Sequence, residues 1–367
     1  MRRGLGVLAA VAAVAVVTAF VEPGPPSVEP TAHVHREAKV GFNDTAETVM
    51  GTLVGPPNQR FLTRIRKGKM GGVVLLRNGW LTKSTAAAVT AELQRAACTR
   101  GEPLLIAVDQ EGGIVRRLPW APPTEGPAYM SSPSVAHEQA AGAATALHSV
   151  GIDVDFAPVV DTPRSTRSFL GSRAFSRSRT WNARMARAFV TGLQTSGVAG
   201  TAKHFPGLGL ASGNTDHGRI VIGSAAWKVR EGLLPFKSAI AAGVKLVMLS
   251  TAVYPRLDAS QRPAAFSSAI ISGILREQLG FTGITVTDSL TAPAADRIPH
   301  TATRAMLAGS DLLIFGAESA SERGYATLVQ DAPTSPRLQA RLTQAAARIR
   351  ALKAWLAEHG GPTCASP

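Results

Sequence analysis

Three stretches of this sequence set acidic and basic side chains where they can act on one bound molecule. "VDQEGGIVRRL" (108–118) places Asp109 and Glu111 beside two glycines, then Arg116 and Arg117. Glycine lets backbone approach a ligand closely, and guanidinium groups present forked donors to hydroxyls or carboxylates. The alternative is a strand-end turn with a solvated basic tail. "VTDSL" (286–290) puts Asp288 at the end of an apolar run. A carboxylate there can attack an anomeric carbon, stabilise positive charge, bind a metal or cap the next segment. "KHFPG" (203–207) brings Lys203 and His204 together. A histidine ending a strand is more often a packed core residue, but a lysine beside it must find an anion or hydroxyls.

Such residues act together only if the fold gathers them. From about Gly41 the chain alternates short apolar runs with longer helical stretches. The runs are 52–55, 71–76, 104–109, 153–161, 200–205, 246–251, 284–290 and 311–316. They are β-branched or leucine-rich and bounded by Gly or Pro, as strands buried on both faces are. Helical segments lie between them, at 82–98 and 267–280 among others, and a last helix over 336–358 closes the domain. Alternation of this kind implies a parallel sheet, and eight strands favour a closed (β/α)8 barrel. Asp109, Asp161, Lys203, His204 and Asp288 then all fall at C-terminal strand ends, the face where such barrels carry their sites.

The chain of 367 residues is long enough for one barrel domain, placed here at 41–360. Residues 1–22 read as a signal peptide or membrane anchor, with Arg2 and Arg3 before an apolar run from Leu5 to Val21. Residues 23–40 form a proline-rich spacer, in which His33 and His35 lack the partners of a metal site. Cys98 and Cys364 either pair to pin the C-terminal tail or remain separate thiols. The net charge of +14 is carried mainly by scattered arginines, without a dense basic block and with only three tyrosines. That pattern disfavours nucleic acid and suits a protein facing an anionic cell envelope.

Taken together, "VDQEGGIVRRL", "VDFAPVVD", "GSRAFS", "KHFPGLG" and "GITVTDSL" resemble glycoside hydrolase family 3, in its single-domain β-N-acetylhexosaminidase branch. The resemblance spans about 71–316 and implies a (β/α)8-type catalytic barrel. It also implies that Asp288 is the nucleophile of a retaining mechanism, and that Asp109, Arg117, Arg173, Lys203 and His204 hold the sugar. One segment departs from the pattern. Where the family reads K-H-F-P-G-H-G and then D-x-H, this chain has Leu208, followed by Asn214-Thr215-Asp216 and His217. Either Asp216 is the general acid/base, or a one-residue shift brings in His217, or the loop no longer catalyses. Neighbouring side chains seldom point the same way, which ranks Asp216 above His217.

The expectation is an exported exo-glycosidase acting on terminal amino sugars of cell-wall fragments, as a monomer with no metal or organic cofactor. A non-catalytic carbohydrate-binding protein on the same barrel and a β-glucosidase-like enzyme are the alternatives.

Overall fold

Eight short apolar segments hydrogen-bond side by side in parallel. They are β1 (Val49–Leu53), β2 (Gly72–Leu75), β3 (Leu105–Val108), β4 (Val154–Asp155), β5 (Ala199–Phe205), β6 (Leu246–Leu249), β7 (Ile284–Thr287) and β8 (Leu313–Ile314). Neighbours in the sheet are neighbours in sequence, and β8 returns to pair with β1. A Val286–Leu312 bridge joins β7 to the residue before β8, so the sheet closes on itself as a (β/α)8 barrel. The computed structural model describes residues 42–76 and 80–364. The signal at 1–22 and the spacer at 23–40, with His33 and His35, lie outside the described residues.

The sequence runs become strands because their side chains divide between two apolar environments. Val74, Leu105, Ala107, Ile284 and Val286 join Met50 and Met248 in the barrel interior. Their neighbours Val73, Leu75, Ile106 and Val108 face the other way, into a cluster built with helix residues such as Leu93 and Leu147. Alternation along each strand therefore fills both layers. Ser and Thr caps start the covering helices: the Thr82 side chain accepts from Thr85 N at the head of Lys83–Cys98, and Ser335 does the same for Pro336–Glu358.

Most strands are shorter than their sequence-based limits, the seventh ending at Thr287 and the eighth holding only Leu313–Ile314, and two differ for a physical reason. The first begins at Val49 rather than at 52, with Gly51 inside it; a Cβ on Gly51 would meet the Met70 sulfur at 2.7 Å. The fourth was expected over 153–161 but has ladder pairing only at Val154–Asp155. Pro158 lacks a donor, and beyond it the chain makes a single bridge, Val159 to Lys203.

The C-terminal helix covers the N-terminal end of the barrel. Ile349, Leu352 and Leu356 belong to the same apolar cluster as the barrel interior. Arg348 and Lys353 of that helix pair with Asp311 (2.8 Å) and Glu47 (2.6 Å), which precede β8 and β1. Cys364, just past the helix, is disulfide-bonded to Cys98 at the end of Lys83–Cys98. The opposite end, where the strands finish, stays open.

Candidate active site

At that open end the strands finish around a cavity of about 360 Å³. Asp109, Glu111, Arg117, Arg173, Lys203, His204, Asp216 and Asp288 all line it. Every residue expected to hold the sugar is therefore at one cavity, together with Asp288 and Asp216. His217 is exposed and is not on its wall.

The floor is a buried ionic cluster. Lys203 comes from β5, is 2% exposed, and sits 2.7 Å from Asp109 Oδ1 and 2.6 Å from Glu111 Oε1. Arg173, from the turn Gly171–Arg173, grips Glu111 through Nε and Nη2, both at 2.8 Å. Burial alone pushes the Glu111 carboxyl up, but Lys203 and Arg173 outweigh it and hold the group at about 2. Burial likewise opposes the charge on Lys203 and Arg173, and their carboxylate neighbours more than restore it, raising both. The result is an array of buried charges held in place by mutual ion pairs at the cavity floor.

Glu111, two residues beyond Asp109, is the centre of this cluster. Its position depends on a ribbon formed by Gln110–Gly112 and Val115–Arg116. Gln110 anchors that ribbon: its amide nitrogen donates to the carbonyls of Leu118, Ala121 and Pro122. The glycines in the ribbon are not among the residues lining the cavity. Gly112 has φ of 101°, and a Cβ there would meet the Glu125 carbonyl oxygen at 2.3 Å, so its freedom serves chain-to-chain packing. Arg117 follows, with its Nε buried and without a hydrogen-bond partner among the described residues.

His204 is oriented by Asp161, which the sequence placed at a strand end without a partner. The Asp161 Oδ2 lies 2.7 Å from His204 Nδ1, while Oδ1 accepts the Leu208 backbone N–H at 2.6 Å. With Nδ1 held by a carboxylate, Nε2 is the nitrogen left for the cavity. Leu208 itself is buried in the apolar core. Where the family pattern has a second histidine, this chain has a hydrophobic wall.

Asp288 follows β7. Its Oδ1 accepts the Ser289 backbone N–H at 2.7 Å. Burial raises its pKa above the ordinary carboxylate value, His204 works against that rise, and the Asp216 charge adds to it. Asp216 is exposed, on a turn where its N–H donates to Asn214 Oδ1 (3.0 Å) and its Oδ2 accepts from Asn214 Nδ2 (3.2 Å). Two carboxyl groups thus face one cavity in unlike surroundings, one half-buried and one exposed. Beneath them Asp155 has its Oδ1 bonded to Gln110 N and its Oδ2 unpartnered, and burial pushes it up to about 8. Among the described residues no group of three or more His, Cys, Asp or Glu is arranged to hold a metal ion.

Comparisons with known proteins point to one family. The sequence model described as "Glycosyl hydrolase family 3 N terminal domain" matches residues 45–352. A beta-hexosaminidase of Nitrosomonas eutropha is 34% identical over 260 residues, which is 67% of this chain and 73% of that protein. One from Xylella fastidiosa is 36% identical over 233 residues, 60% of this chain and 68% of its own. Among solved structures, a beta-N-acetylhexosaminidase from Beutenbergia cavernae superposes with a TM-score of 0.80 at 32% identity, covering 86% of this chain and 99% of that one. A family 3 beta-N-acetylglucosaminidase from a Paenibacillus species gives 0.82 at 29% identity, over 89% of this chain and 64% of that one.

Proposed function

Because this chain belongs to glycosyl hydrolase family 3, whose members cleave O-glycosyl bonds, we propose that it is an exported, retaining β-N-acetylhexosaminidase. The observation that carries the reading is the meeting of Asp288, Asp216 and the Lys203–Glu111–Arg173–Asp109 cluster at one cavity. In this reading the sugar hydroxyls lie against Asp109, Lys203, Arg173, Arg117 and His204. Asp288 attacks the anomeric carbon, and Asp216 protonates the departing glycosidic oxygen. Water, deprotonated by Asp216, then displaces Asp288 and restores the starting configuration. The apolar part of the wall, Val74, Phe156, Met248 and Ile314, offers the methyl of an N-acetyl group a surface that a bare hydroxyl does not use.

Asp216 is preferred to His217 because only Asp216 lines the cavity. The Cys98–Cys364 bond favours an oxidising compartment and so supports export. The positive charge suits an anionic envelope, and the site is complete within one chain, so a monomer is the working unit.

The test is a panel of aryl glycosides, N-acetylglucosaminide and glucoside first. Asp288→Asn should lose turnover by roughly 10⁴-fold, as when a cooperating catalytic unit is broken. Retained turnover in that variant, or product of inverted configuration, would sink the mechanism. Asp216→Ala should keep activated aryl substrates, lose those with poor leaving groups, and yield a glycosyl azide of retained configuration when azide is added. If His217→Ala behaves that way instead, the acid/base assignment moves to His217. A wild type that binds sugar but turns over no glycoside would make the protein a receptor.

A further inference from the structure

The segment Pro206–Leu210 is a wall between two cavities. Leu208 faces the catalytic one; Pro206, Gly207, Gly209 and Leu210 line a second, of about 280 Å³. The wall is firm. Arg164 N donates to Gly209 O at 3.0 Å, and a Cβ on Gly209 would meet the Thr162 carbonyl oxygen at 1.8 Å. Across the second cavity stand Arg164, Arg177 and Arg179, and the short helix Ala226–Glu231 supplies Trp227 and Lys228.

Its chemistry is one-sided. Among the described residues the only carboxylate in the lining is Glu231, and that is engaged by Arg179 Nη1 at 2.6 Å. The side chains of Arg164 and Arg177 make no hydrogen bond or ion pair with any described residue. Trp227 is 59% exposed, an unusual position for an indole. The catalytic cavity mixes carboxylates with cations, which suits hydroxyls that both donate and accept. The second cavity presents free donors and no free carboxylate, so it selects a ligand rich in acceptors.

We propose that this cavity binds an acidic saccharide, with a sugar carboxylate held between Arg164 and Arg177 and the pyranose ring against Trp227. Guanidinium forks match a carboxylate in geometry as well as charge, and an indole offers a flat apolar face to the C–H face of a sugar. The volume is near the lower limit of ligand clefts, roughly 300 Å³, and suits one ring. The saccharide part rests on the carbohydrate reading above; the anionic part stands on the lining residues alone.

Calorimetric titration tests it with four probes: trigalacturonate, its methyl ester, N-acetylmuramic acid and inorganic phosphate. At least one of the two sugar acids should bind in the submillimolar range, with the ester and phosphate at least about tenfold weaker. Trp227→Ala and the double variant Arg164→Gln/Arg177→Gln should each weaken that binding about tenfold or more while keeping aryl-glycoside turnover. Lys203→Ala, in the other cavity, should leave it unchanged. Failure of both sugar acids to bind overturns the proposal. So does equal binding of the ester, phosphate binding as tight as either sugar acid, or loss of binding in Lys203→Ala but not in Trp227→Ala. Aryl-glycoside turnover of the wild type, measured on the same preparation, judges the hydrolase reading separately.

Discussion

The two ends of the barrel each bury an ionic cluster, and the clusters differ in how completely they are satisfied. At the N-terminal end Asp311 is fully buried, with Arg276, Arg341 and Arg348 around it at 2.6, 3.0 and 2.8 Å. Its Oδ2 also accepts Thr285 N and Thr285 Oγ1, and the arginines fill much of their remaining capacity on carbonyls of Phe281, Gly283, Met306 and Ser310. At the C-terminal end Glu111 is just as buried, but its neighbours are not satisfied. Arg117 Nε has no partner, and among the described residues Asp109 Oδ2 and Arg173 Nη1 make no hydrogen bond. Similar chemistry serves two ends. A saturated cluster locks helices to strands, whereas an unsaturated one facing a cavity stores binding capacity for a ligand.

The sharpest way to break this contrast is to remove the anion from the saturated end. Asp311→Asn leaves three partly buried guanidinium groups facing one another, and should cost about 3–5 kcal/mol in urea unfolding. Turnover per folded molecule should hardly change; a catalytic defect without lost stability would mean the ends are not separable. At the other end Lys203→Ala should lower kcat/KM by roughly a hundredfold, about 2–3 kcal/mol of transition-state stabilisation. Stability should fall too, because Glu111 loses one of its two cations and Asp109 its ion-pair partner, so the kinetic loss is read per folded molecule. A kinetically silent Lys203→Ala would show that the unsatisfied capacity is not used on substrate.

Smaller effects sharpen the electrostatics. The Asp216 charge adds to the upward shift of Asp288. Asp216→Asn, assayed on an activated aryl glycoside, should therefore move the acid limb of kcat/KM to lower pH. An unmoved limb would separate the two carboxyl groups electrostatically, and a limb moved upward would reverse the assigned sign. A pH-dependent effect is expected at Asp155, whose folded-state pKa of about 8 exceeds the ordinary aspartate value of about 4. Its contribution to stability is complete below the unfolded value and is lost as pH rises through the folded one. Compared with Asp155→Asn, the wild type should lose melting temperature between about pH 4 and 8, and no further above that. A constant gap across that window would show that Asp155 is charged throughout.

The barrel was readable because its strands are apolar on both faces and its polar residues gather at one end of them. What the sequence concealed follows from contacts across long separations. Glu111 meets Arg173 across 62 residues, and Asp161 meets His204 across 43, so neither partnership leaves a local pattern. The start of the first strand was hidden by Gly51, which interrupts the apolar run yet fits because Met70 fills the space. The fourth strand looked longer than it is because Ala157–Asp161 are buried without sharing a regular ladder. Choosing between Asp216 and His217 needed the direction of a turn, and a turn's direction is not written in residue types.

The Cys98–Cys364 bond spans 266 positions of chain, and the whole segment 206–218 lies inside that loop. A protease that nicks the exposed Asp216–His217 step once releases nothing, since both fragments stay covalently joined through the bridge. Cleaved protein should migrate as a single chain on a denaturing gel without reductant, and fall into two pieces only when thiol is added. A chain cut once beside this cavity thus remains one covalent molecule.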